Sequence, residues 1–144
     1  MAMLHAGRHA DAERALRTAL SQAPRHSAAL NALGTLLLKQ KRNREAVAVL
    51  ELAVAVQPDN AAMHVDLGQA LRGVARNAEA TAHFERATAI EPNNRAYALL
   101  LLLHRGTWLD EQGQAEEAMA CFEQAAREYP ESADAWATLG TVQA

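Results

Sequence analysis

An intrachain disulfide is excluded at the outset, because Cys121 is the only cysteine among the 144 residues, and nothing in the chain calls for an oxidising compartment. Cys121 reads instead as a small core residue. Apolar runs are short as well: none approaches the roughly 18 residues that cross a bilayer. The opening Met1-Ala2-Met3-Leu4-His5-Ala6-Gly7 carries neither a charged flank nor a long apolar segment, so neither signal peptide nor anchor is read there. The expectation is a cytoplasmic protein without a membrane partner. Aromatic residues are scarce, at 4% of the chain, and none interleaves the densest basic cluster, Lys39, Lys41, Arg42 and Arg44. A nucleic-acid partner is therefore not expected, since phosphate binding scales with a broad basic face and base reading with stacking rings.

Signatures of chemistry are missing too. There is no nucleophile motif, no glycine loop to cradle phosphates and no paired catalytic carboxylates. Glu116 and Glu117 are adjacent and point to different parts of a helix surface, which makes a poor acid–base pair. His5 and His9 have the spacing of a helical ligand pair, but Gly7 falls between them at an expected turn and no third ligand is near in sequence. His64, His83 and His104 belong to separate expected helices, one of them at a core-facing site. No metal, no cofactor and no enzymatic activity are expected.

What the chain does have is alanine, leucine and a period. Half of its residues are apolar and 22% are charged, enough to bury a core without disulfides or metal. Pro24, Pro58 and Pro92 stand 34 residues apart. In the same register Ala12, Ala46, Ala80 and Ala118 share one site, and Ala19, Ala53, Ala87 and Ala125 another. Self-similarity at this period marks stacked structural units. Upstream lie Leu33-Gly34, Leu67-Gly68, Arg105-Gly106 and Leu139-Gly140, each inside an otherwise helical stretch. Glycine in a helix interior costs about 1 kcal/mol against alanine, so its return implies a helix passing close by, with the alanines twelve residues on as the expected counterpart.

Each unit reads as two antiparallel helices closed by proline, which cannot continue a helix. Asp59-Asn60, Asn93-Asn94, Ser132 and Ser27 follow the prolines and supply capping oxygens. Helices are expected at about 9–22, 27–40, 43–56, 61–73, 77–90, 95–112, 115–128 and 133–143. The interval from Pro92 to Pro130 is 38 residues, which fits one added helical turn. Within it, Leu99 to Leu103 are five consecutive leucines that cannot all face one core. They are either buried on several sides or, at Leu100 and Leu103, exposed to a partner.

These residues resemble the tetratricopeptide repeat: a large residue, Leu-Gly, two alanines flanking an aromatic, then proline. Phe84 and Phe122 hold the aromatic site, Leu16 and Leu50 replace it elsewhere, and Trp136 fills the first large site of the last unit. His64 and Leu30 stand where Trp136 stands, and Leu37, Leu71 and Leu109 where the family often has tyrosine. The resemblance implies an all-α fold, a right-handed α-solenoid of antiparallel helix pairs. It covers 1–144 as one repeat domain: a partial repeat at 1–26, repeats at 27–60 and 61–94, a longer one at 95–132, and a partial terminal helix at 133–144. The flank Ala12, Ala15, Leu16 and Ala19 is expected to be partly uncovered.

The family lines its inner surface with the first helix of each pair. Carried over, this implies a partner groove of Asn31, Thr35, Leu38 and Lys39, then Val65, Gln69 and Arg72, then Leu100, Leu103, Thr107 and Asp110. Such a surface suits a protein or peptide segment with a few apolar anchors. Two family specialisations are absent from the sequence. Asn31 is followed by Asp66, Leu100 and His104 where carboxylate-gripping members carry basic residues, and Ala32, Asp66 and Thr138 replace the asparagine that sugar-transferase-linked members repeat.

Charge is lopsided: residues 1–44 hold eight Lys or Arg against two acids, and 106–144 hold one against eight. The expected function is a noncatalytic scaffold that docks a partner segment in its concave groove. Alternatives are a unit that self-associates head to tail through its open ends, and the targeting arm of a larger enzyme.

Overall fold

A computed structural model describes residues 2–132, which form seven helices and, among the described residues, no strand. They are α1 (Ala2–Gln22), α2 (Ser27–Lys39), α3 (Asn43–Val56), α4 (Ala61–Gly73), α5 (Asn77–Ile90), α6 (Arg95–Glu111) and α7 (Ala115–Glu128). From α2 onward every bound falls within a residue of its expected place. α1 is the exception: it runs unbroken through Gly7, where a turn was expected. No neighbour crowds Gly7, and one glycine costs a continuous helix only about 1 kcal/mol. The helix expected at 133–143, with Trp136, Thr138 and Leu139-Gly140, lies outside the described residues.

The chain forms two compact units that divide between His83 and Phe84, inside α5. In the first, each of α1 to α3 packs on its successor, and α2 also touches α4 two places along. That pattern defines a solenoid of stacked helix pairs. In the second unit α6 packs on α7.

Two kinds of turn recur, and both are set by local hydrogen bonding. After the second helix of a pair, the carbonyls of Ala19, Ala53, Ala87 and Ala125 accept from the amides of Ala23, Gln57, Glu91 and Tyr129, so the period fixes the turn as well as the helices. The next residues cap the following helix. Asn60 accepts from the Met63 amide and Asn94 from the Tyr97 amide, as expected, but before α2 the cap is His26 Nδ1 rather than Ser27. Register explains the change, since His26, Asn60 and Asn94 occupy one repeat position and Ser27 lies a residue beyond it.

Within a pair, the amides of Arg42, Arg76 and Gln114 reach back to the carbonyls of Leu37, Leu71 and Leu109. This closure needs a left-handed residue just before them, and Lys41, Ala75 and Gly113 supply it at φ 62, 64 and 81. Only Gly113 does so without strain. Ala75→Gly is therefore expected to stabilise the chain by about 0.5–1 kcal/mol. Urea denaturation checks this, with Ala75→Val lowering the midpoint.

The glycines mark close approach, but not to the expected alanines. A Cβ on Gly34 would stand 2.6 Å from Leu50 Cγ, and one on Gly106 would stand 2.7 Å from Phe122 Cζ. The counterpart is thus the large residue between the alanines. It fills the contact because Ala46, Ala53, Ala118 and Ala125, all at 0% exposure, let the helices close around it. The flank of α1 is open among the described residues: Ala12, Ala15 and Ala19 are exposed and Leu16 half-buried.

α6 has 17 residues against 13 in α2 and α4, the added turn that the proline spacing required. Among its leucines Leu101 is buried and Leu99, Leu100, Leu102 and Leu103 are half-buried, so the run is covered on several sides. Cys121 is half-buried, and burial pushes its thiol above the usual range.

Candidate functional site

α2 and α4 lie side by side as the first helices of consecutive pairs, and between their last turns opens a hollow of about 470 Å³. Thr35, Leu38 and Lys39 line it from α2, and Asp66, Gln69, Arg72 and Gly73 from α4, with Lys41 and Asn43 from the turn and start of α3. Five residues expected to form the groove, Thr35, Leu38, Lys39, Gln69 and Arg72, are brought together here. Asn31 sits one turn earlier on α2, half-buried, with its Oδ1 buried and without a hydrogen-bond partner among the described residues.

Other expected positions serve differently. Val65 is 8% exposed and belongs to the core, so it offers almost no surface to a partner. Leu103 packs against the buried cluster of Ala118, Phe122 and Ala126. This follows from the added turn, which gives α6 more apolar length than one face can hold. Leu100 is half-buried, while Thr107 and Asp110 are exposed on the same face of α6. The Thr107 hydroxyl donates to the Leu103 carbonyl.

Four lining residues escape the family register: Lys41, Asn43, Asp66 and Gly73. A signal for the last exists in the period, because Gly73 lies 34 residues after Lys39 and occupies the same repeat position. Losing a long side chain there makes room, and Asn43 packs onto the bare backbone, with its Cγ 2.6 Å from where a Cβ would be. Asp66 ties the two helices together by accepting the Thr35 hydroxyl at 3.0 Å. Burial pushes its carboxyl above the usual range, against the opposing pull of that bond and of Lys39.

Several arginines away from the hollow are held in ion pairs. Arg42 bridges Glu13 and Glu45, holding Glu13 down at about 2. Arg14, Arg17, Arg76, Arg95 and Arg105 are each paired with a carboxylate too. Around the hollow, Lys39, Lys41 and Arg72 have no side-chain ion pair or hydrogen bond among the described residues, and the same holds for Arg25 and Arg44 away from it.

Behind the site, His64 on α4 is buried and its ring stacks on His83 of α5 at 5.3 Å. Its Nε2 lies 2.7 Å from the Pro58 carbonyl and its Nδ1 3.0 Å from His83 Nδ1. A carbonyl only accepts, so His64 Nε2 carries the proton, and its bare Nδ1 accepts from His83 Nδ1–H. Burial, then His64, lowers the His83 pKa, opposed by Glu79. Among the described residues no group of three or more His, Cys, Asp or Glu could hold a metal, and no helix is long and apolar enough to cross a membrane.

Comparison with known proteins agrees with this geometry. Two tetratricopeptide repeat family models match, one at residues 3–71 and 37–103 and the other at 100–142. Among solved structures, MamA superposes with a TM-score of 0.79 at 21% identity, covering 96% of this chain and 78% of that one. TTC0263, a thermophilic TPR protein of Thermus thermophilus, gives 0.70 at 19% identity over 97% and 75%. The TPR domain of Arabidopsis OM64 gives 0.68 at 21% identity over 81% and 93%. At these identities the likeness speaks for the fold. No curated protein is significantly similar to the chain in sequence.

Proposed function

The chain belongs to the tetratricopeptide repeat family, whose fold serves as a scaffold for protein–protein interaction, and we propose that it is a noncatalytic scaffold that seats a peptide or helical segment of a partner against its first helices. The observation that carries this reading is the hollow between α2 and α4, where Thr35, Leu38, Lys39, Gln69 and Arg72 meet on one surface. Partly exposed aliphatic stems beside polar tips suit a segment with side chains of both kinds. Leu100, Thr107 and Asp110 present a comparable face on α6 in the second unit.

Site-specific photocrosslinking tests the proposal. A benzophenone side chain at Gln69, in the hollow, is expected to form discrete protein adducts in cells, and the same group in place of the exposed Leu52 on α3 is expected to form few. Equal labelling at both positions, or none at Gln69, would count against a groove on the first helices.

A further inference from the structure

We propose that the hollow between α2 and α4 receives carboxylate side chains from an acidic, extended segment of another protein, held by Lys39, Lys41 and Arg72 around the Thr35–Asp66 rung. This rests on the groove reading above and names the chemistry of the occupant. Three cations surround the hollow against one carboxylate, Asp66, which accepts the Thr35 hydroxyl and feels the charge of Lys39, so the cations outnumber the acid. At the two equivalent turns the arginine is neutralised: Arg42 and Arg76 each hold a glutamate three residues on and approach a second on another helix. The equivalent pairing is missing where the hollow opens.

Geometry reinforces the charge. Lys41 sits at φ 62, on the turn that closes α2, at the edge of the hollow. Gly73 replaces the lysine that the repeat position carries at Lys39, so the Asn43 side chain rather than a third stem packs against the α4 side. Asn43 and Gln69 add amide donors beside the cations. A carboxylate entering this hollow meets two ammonium groups and a guanidinium, whose bonds to it are charge-assisted. Leu38 on the wall offers an apolar contact to the residue beside it. An extended segment suits a recess of this size because it presents side chains singly. A folded second copy instead displays Glu111, Glu116 and Glu117 across a helix–turn–helix.

The test titrates the isotope-labelled 144-residue chain with the capped peptide Glu-Glu-Leu-Glu-Glu and with its glutamine counterpart, followed by amide shifts. Expected is a saturable response to the acidic peptide at Lys39, Lys41, Asn43, Gln69 and Arg72, weakened about tenfold by Lys39→Glu or Arg72→Glu. Both side chains are exposed, so the variants keep the parent's melting curve. Four results would overturn the proposal: no shifts at the hollow; shifts spreading equally to Arg25 and Arg44, away from it; equal binding of both peptides, which would leave the groove reading intact while removing its acidic chemistry; or salt-sensitive self-association of the chain alone that Lys39→Glu abolishes, which would make a second copy the occupant.

Discussion

Phe122→Ala is expected to lower the unfolding free energy by about 3–5 kcal/mol, the range for removing a fully buried aromatic ring. Phe122 is 1% exposed, and it fills the space that Gly106 leaves on α6 while Ala118 and Ala125 bring α7 close. Gly106→Ala should cost about 1–3 kcal/mol, because the added methyl meets the edge of the ring and overpacking forces it aside. The double variant is the sharper measurement. An alanine at 106 partly fills the void left by the ring, so the combined cost should fall short of the sum of the two. Urea denaturation followed by circular dichroism reads all three. Strict additivity would mean that contact with Phe122 is not what keeps the position glycine.

Acidification should be the second large effect. His83 has its pKa lowered by burial first and by His64 second, so the unfolded chain takes up a proton more readily than the fold. The stability this contributes is fully present above the unfolded value of about 6.5 and is lost as pH falls below it through the folded value. Replacing His64 removes the second of those two causes and leaves the first, burial, in place. Urea midpoints at about pH 7.5 and about pH 5 should therefore separate for the parent chain and draw together in His64→Phe. If His64→Phe keeps the full pH dependence, the pair does not govern it.

Some features of the molecule are open to reading from one sequence because they repeat. Proline, the alanine pairs and the capping asparagines recur at fixed offsets, and each acts through hydrogen bonds or sterics confined to a few neighbours. Six helices consequently fall within a residue of expectation, and even the added turn of α6 follows from proline spacing alone. Exceptions to the period are harder. Gly7 and Gly34 look alike in the sequence, yet nothing crowds Gly7 while Leu50 presses on Gly34. His26 takes the capping role from Ser27 because position in the turn outweighs residue preference.

The candidate site shows the same division. Thr35, Leu38, Lys39, Gln69 and Arg72 follow from their places on the first helices, whereas of the others in that register Val65 is absorbed by the core and the half-buried Leu103 packs against it. Register gives a direction along a helix but not the depth of the neighbour that meets it. By itself the sequence determined the repeat, its helices and its turns, all properties of contacts between residues close in the chain. Only the tertiary structure decided that the Asn43 side chain packs onto the bare backbone of Gly73, that Asp66 is tied to Thr35, and that Lys39, Lys41 and Arg72 surround one hollow without a side-chain ion pair among the described residues. Those facts depend on how far apart two helices settle, and that distance is set by the packed volumes of side chains distant in sequence.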